Sequence, residues 1–204
     1  MKLQKAQPLF VGPKTERAIP VRHHLRRDFL IQSTLDANVR RIAYHPGLQV
    51  DGTIVAVDAL VLDRDDGLFA VDLTDARPSC DPTGEHLLAL AFAEGCTAIL
   101  TVDAADVRRE PRFSAARRIW RHRDVHVHAD DREQILGTLD AEGPLPLRSI
   151  PALVDTDRDP ISVVFALACD GDVTLDLNAG FDDRTIVKAG SRPAGAFGRL
   201  AYSA

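Results

Sequence analysis

Lysine is almost missing from this chain. Its four lysines are Lys2, Lys5, Lys14 and Lys188, so no ammonium group is available to a site built from residues 15–187. Cysteine is scarce as well. Cys80, Cys96 and Cys169 are odd in number and far apart, which argues against a disulfide framework or a zinc site and predicts three small buried hydrophobes. Long apolar runs are lacking. Val163–Cys169 is the longest in the C-terminal half, far below the ~18 residues of a membrane span. The start, Met1 to Lys5, is basic without an apolar segment behind it, so it does not read as a secretory signal, and a cytoplasmic protein is expected. No glycine-rich loop of the P-loop or dinucleotide kind is present, and Ser33, Ser114, Ser149 and Ser162 lack a nucleophile-elbow context.

What is present suffices for a folded core: 204 residues, 45% hydrophobic and 27% charged, with a net charge of −5. The charge comes in blocks. Residues 1–46 carry 9 basic and 3 acidic side chains, a net of +6. Residues 47–107 stand at −10, 108–123 at +6 and 124–204 at −7. Clustered arginine on an acidic chain is the footprint of a phosphate-backbone binder; helix faces paired with nearby aspartates are the alternative. The first reading makes DNA-contacting candidates of Arg22, His23, His24, Arg26, Arg27, Arg40, Arg41, Arg108, Arg109, Arg112, Arg117, Arg118, Arg121 and Arg123.

Local patterning predicts the elements. Residues 1–20, with Pro8, Gly12, Pro13 and Pro20, read as a flexible or surface-draped arm. Leu25, Phe29 and Leu30 mark an amphipathic helix with a basic outer face. Strands are predicted at Val39–Tyr44, Leu48–Val50, Ile54–Leu62 and Leu68–Leu73, with a turn at Asp63–Gly67, then a helix over Thr83–Glu94 and a strand over Thr97–Val102. Arginine-rich helices follow at Ala104–Arg109 and Phe113–Arg123. His126 and His128 alternate as on an edge strand, too few to specify zinc, and Trp120 suits either the core or a base stack. Helices at Asp131–Leu139, Leu147–Leu153 and Ile161–Cys169, then strands at Val173–Leu177 and Thr185–Lys188, make a winged-helix pattern. The expected organisation is an arm (1–20), a mixed α/β domain (21–128), a winged-helix domain (129–190) and a loose tail (191–204).

The ordered strings Leu25–Leu30, Val39–Pro46, Val57–Val61, Ala70–Thr74, Gly95–Val102, the Val107-to-Trp120 segment and Gly143–Ile150 resemble the TnsA-type endonuclease subunit of heteromeric transposases. The resemblance spans residues 20–190. It implies a restriction-endonuclease-like mixed sheet flanked by helices, followed by the winged helix. In that family a helix glutamate, a strand aspartate and a Glu-x-Lys or Gln-x-Lys pair hold Mg²⁺, because hard carboxylate oxygens suit that ion. Here Asp58 matches the strand aspartate and Asp72 shortens the pair's first member, whereas Arg26 stands at the helix position and Thr74 at the lysine. Arg77 is the nearest substitute cation, and Asp28 or Glu85 would have to be a relocated third ligand.

The resemblance and the missing ligands together imply a catalytically degenerate, nuclease-like protein that binds duplex DNA without a cofactor. Its expected role is structural or regulatory, in transposition, another mobile-element process or transcription, beside a transposase or regulatory partner, with homodimerisation open. The alternatives are an active Mg²⁺-dependent endonuclease and a protein-interaction module that touches no DNA.

Overall fold

The computed structural model describes residues 7–178 and 180–190; residues 1–6 and the expected tail, 191–204, lie outside that range. The elements are β1 (Leu9–Phe10), β2 (Ile19–Pro20), α1 (His24–Leu35), β3 (Val39–Val50), β4 (Thr53–Arg64), β5 (Gly67–Leu73), α2 (Glu85–Ala93), β6 (Ala98–Val102), α3 (Ala104–Val107) and α4 (Arg112–Trp120). After these come α5 (Ala129–Glu142), β7 (Leu145–Pro146), α6 (Ile150–Leu153), α7 (Pro160–Asp170), β8 (Val173–Leu175) and β9 (Ile186–Ala189). The class is α/β: a mixed four-stranded sheet, ordered β3-β4-β5-β6, flanked by helices.

The first three strands are antiparallel. Asp51 and Gly52, both with positive φ (47° and 79°), make the two-residue turn between β3 and β4, where such a backbone matches the twist of a hairpin. Strand β6 runs parallel to β5, which requires a crossover, and α2 supplies it. Alternation along β4 sorts its side chains between two faces. Leu60 and Leu62 join the core beneath α1 and α4, whereas Val57, Ala59 and Val61 pack with Leu87, Leu90 and Ala91 of α2.

Residues 39–50, expected as two strands, form one. The register shifts between His45 and Gly47, and exposed Pro46 is tolerated because β3 is a sheet edge, where a missing N–H breaks no ladder bond. The expected arm is also different over residues 7–20. Strands β1 and β2 pair, Phe10 and Ile19 are buried, and Phe10 stacks on Trp120 with centroids 5.3 Å apart. Apolar side chains at Phe10 and Ile19 draw this proline-broken segment onto the core despite its lack of periodicity. Trp120 is accordingly core. Of the cysteines only Cys169 is buried; Cys80 is exposed and Cys96 half-buried. His126 and His128 are exposed, but in an irregular segment and not on a strand.

Beyond residue 128, three helices carry a three-stranded antiparallel sheet ordered β7-β9-β8. Helix α7 is delimited by an Asp159 cap, Pro160 in its first turn and Gly171 in the left-handed region just past its end. It is buried from Val163 to Cys169 and packs against α4, so one apolar cluster runs unbroken from Ile119 and Trp120 to Val164 and Phe165. Among the described residues, no helix is long and apolar enough to cross a membrane.

Candidate functional site: an arginine-filled carboxylate cleft and a cationic groove

The β4–β5 ladder ends at Leu60 opposite Val71. Past that pair the strands part, β4 staying with β3 and β5 with β6, and a cavity of about 30 Å³ opens between them, lined by Asp58, Asp72, Asp81, Arg26 and Arg77 among others. This is the topological point at which Asp58 and Asp72 come together.

Asp58 is 6% exposed and sits at φ 52°, a left-handed conformation that costs a non-glycine residue about 1–3 kcal/mol and persists only where its surroundings impose it. Its surroundings do. Oδ1 accepts from Arg26 Nη1 at 3.0 Å and from the Tyr44 hydroxyl at 2.8 Å, Oδ2 faces Arg22 Nη1 at 3.2 Å, and the Asp58 carbonyl accepts from Arg26 Nη2 at 3.3 Å. Arg26 is 5% exposed and packs its guanidinium 5.4 Å from the centre of the Tyr44 ring, while its Nε has no hydrogen-bond partner. Asp72 is gripped by Arg77 in the fork geometry that guanidinium favours, Nε to Oδ1 at 2.8 Å and Nη2 to Oδ2 at 2.6 Å.

A divalent ion does not fit this donor set. The oxygens that would ligate it are already engaged by guanidinium groups, which cannot be deprotonated to make room. Thr74 stands aside, its hydroxyl 3.5 Å from the Val102 carbonyl, so the cation beside Asp72 is Arg77 and comes from the turn after β5. Neither Asp28 nor Glu85 lines the cavity, and neither is placed as a third ligand. Asp81 does line it, with its carboxylate turned to the start of α2, accepting from the N–H groups of His86 and Leu87. The sequence reading missed Asp81 and Tyr44. Asp81 before a helix beginning at Glu85 carries a capping signal, and Tyr44 lies on the core-facing period of β3.

Burial and its bond to Asp58 push the Tyr44 hydroxyl up to about 12, and burial pulls Lys14, which donates to the Asp36 carbonyl at 2.6 Å, down to about 8. The signs are opposite in effect. Between pH 8 and 10.5 Lys14 sheds its proton more readily folded than unfolded, so its contribution to stability rises with pH; between pH 10 and 12 the unfolded tyrosine ionises first, so that of Tyr44 falls. Urea midpoints across pH 7–12 are expected to lose the rise in Lys14→Met and the fall in Tyr44→Phe.

The arginine candidates divide. Arg40 pairs with Asp65, Arg41 with Glu16 and Asp63, Arg109 with Asp106, and Arg112 with Asp36, so these four are neutralised by carboxylates the folded chain brings to them. Arg26, another of the candidates, is buried in the cleft and is not on the surface. Arg27, Arg117, Arg118 and Arg121 are exposed and have no carboxylate partner among the described residues; Arg117 and Arg118 lie over the rings of Phe113 and Phe181. At the start of α1, Arg22, His23, His24, Arg27 and Arg123 line one open groove with Trp120, and Arg108 reaches the His24 ring at 3.0 Å. Arg123 also pairs with Asp124. Compared with known proteins, the chain matches no family model and no curated sequence, so the role of the cleft and the groove rests on their own chemistry.

Proposed function

We propose that this protein is a DNA-binding component built on a nuclease-like scaffold whose catalytic centre is closed by arginine. It acts as a structural or regulatory partner in transposition, another mobile-element process or transcription. The observation that carries this is the buried Arg26 guanidinium bound to Asp58, at the position where the nuclease resemblance asks for a metal-ligating carboxylate. Arg77 on Asp72 supports the same reading, since a cleft neutralised by its own cations keeps the scaffold without keeping the chemistry. The exposed, unpaired Arg117, Arg118 and Arg121 support contact with phosphate. The order α5-β7-α6-α7-β8-β9 supports reading the C-terminal part as a winged helix, and the −7 charge over residues 124–204 favours a protein partner over DNA for that part.

The test is a mobility shift with duplex DNA over a salt series. Affinity is expected to fall linearly in log–log form as salt rises. Replacing Arg117, Arg118 and Arg121 together by alanine is expected to weaken binding alike for unrelated sequences and to flatten the salt slope by roughly one unit for each phosphate no longer neutralised. No retardation of folded protein at low salt would favour the protein-interaction module. Cleavage with Mg²⁺ or Mn²⁺ that vanishes in Asp58→Ala would favour the endonuclease.

A further inference from the structure

The groove at the start of α1 differs from the carboxylate cleft and from two further cavities among the described residues. It holds about 520 Å³, and no carboxylate is among its lining residues, which include Arg22, Arg27, Arg123, His23 and His24; Arg22 and Arg123 each pair with one carboxylate outside the lining, Asp58 and Asp124. The two further cavities contain Asp36 and Asp176, or Asp106 and Glu110. The rest of its lining is apolar: Phe10 is buried and stacks on Trp120, while Leu9 and Val11 stand 61% and 67% exposed. The His23 and His24 rings, 4.3 Å apart, are exposed beside them.

Guanidinium groups together with apolar and imidazole side chains in one groove match a ligand that is anionic along one edge and flat and apolar along the other. A duplex groove or backbone presents only the first to a concave surface; an unpaired nucleotide presents both, its phosphates to guanidinium and its base to a ring or an aliphatic face. The volume is within the range of small-ligand sites and admits a nucleotide. We infer that this groove takes an unpaired nucleotide at a DNA end or overhang, with its phosphates on Arg22, Arg27 and Arg123 and its base against Leu9, Val11 and His23. This rests on the DNA-binding reading and gives it a preferred substrate: duplex carrying a single-stranded end.

The groove contains its own reporter, because Trp120 is the sole tryptophan of the chain. Titration with 5′-phosphorylated tetrathymidylate is expected to change Trp120 emission saturably. In competition at one salt concentration, duplex with a three-nucleotide overhang is expected to bind about tenfold tighter than the blunt duplex. Leu9→Ser combined with Val11→Ser, at two exposed positions, is expected to abolish that gain and leave blunt-duplex affinity unchanged. Equal affinity for blunt and overhanging duplex, or an overhang gain that survives the double substitution, would overturn the inference while leaving duplex binding in place. An oligoglutamate peptide that alters Trp120 emission as strongly as tetrathymidylate would also overturn it, by showing a site for any polyanion. Tetrathymidylate bound in the groove with blunt duplex unbound would support the groove and sink the duplex reading.

Discussion

Asp58→Ala is expected to cost about 3–5 kcal/mol of folding stability, the loss that follows when one partner of a buried ion pair is removed. The alanine leaves the Arg26 guanidinium 5% exposed with no carboxylate opposite, its Nε already unpartnered, and the Tyr44 hydroxyl without its acceptor. It also keeps the left-handed backbone at position 58, so no strain is relieved in compensation. For a domain stable by about 5–15 kcal/mol this is a large share of the total. Asp58→Asn retains an acceptor and a residue type that enters the left-handed region more readily, so it is expected to lose less. Arg26→Met alone leaves Asp58 still held by Arg22 and Tyr44, and the pair Arg26→Met with Asp58→Asn removes both buried charges together. The double substitution is therefore expected to be more stable than Asp58→Ala, in a non-additive cycle. Urea unfolding reads this as a shift in midpoint at constant slope. A midpoint in Asp58→Ala equal to that of the wild type would show that the cleft contributes nothing to the fold.

The second large effect is a gain. Arg26→Glu combined with Arg77→Ala is expected to create a cation site where the cleft now holds guanidinium. Those two side chains engage Asp58 Oδ1 and both oxygens of Asp72, and each would repel a divalent ion a few ångströms away by several kcal/mol at an effective dielectric of about 20. Removing both frees Asp72 and leaves Asp58 held only by the half-exposed Arg22 and by Tyr44, and the introduced glutamate adds a third hard ligand from α1. Wild-type stability is expected to be indifferent to Mn²⁺. The double variant should gain about 2.7 kcal/mol when Mn²⁺ is present at roughly a hundred times its dissociation constant, and calorimetric titration should show saturable binding. Thr74, the position suggested by the motif alone, is not where the obstacle lies, since its hydroxyl points to the Val102 carbonyl. Failure of the double variant to bind Mn²⁺ would mean that the three carboxylates do not converge on one ion.

Much of the fold is legible in the sequence because its signals are local. The apolar spacing of Leu25, Phe29 and Leu30, the β-branched run from Ile54 to Leu62, and the Asp159-Pro160 start and Gly171 end of α7 each act within a few residues, and the element order follows from them. Asp58, Asp72 and Arg26, each singled out in the sequence, line one cavity. Local signals mislead where long-range burial prevails. Phe10 and Ile19 pull a proline-broken segment onto the core, and an edge position lets β3 run through Pro46.

The residue chemistry by itself determines that any cationic side chain of fixed charge between residues 15 and 187 is an arginine, that the chain is mixed α/β, and that its basic side chains come in two blocks. Which of those arginines are free is decided only by the tertiary structure. Arg40 meets Asp65 across 25 residues, Arg112 meets Asp36 across 76, and Arg26 meets Asp58 across 32. Charge pairing is short-ranged in water and in salt, so proximity in space settles it and position along the chain does not. The same is true of the groove at the start of α1, whose walls come from β1, the start of α1 and the end of α4 and exist only once those three elements are packed together.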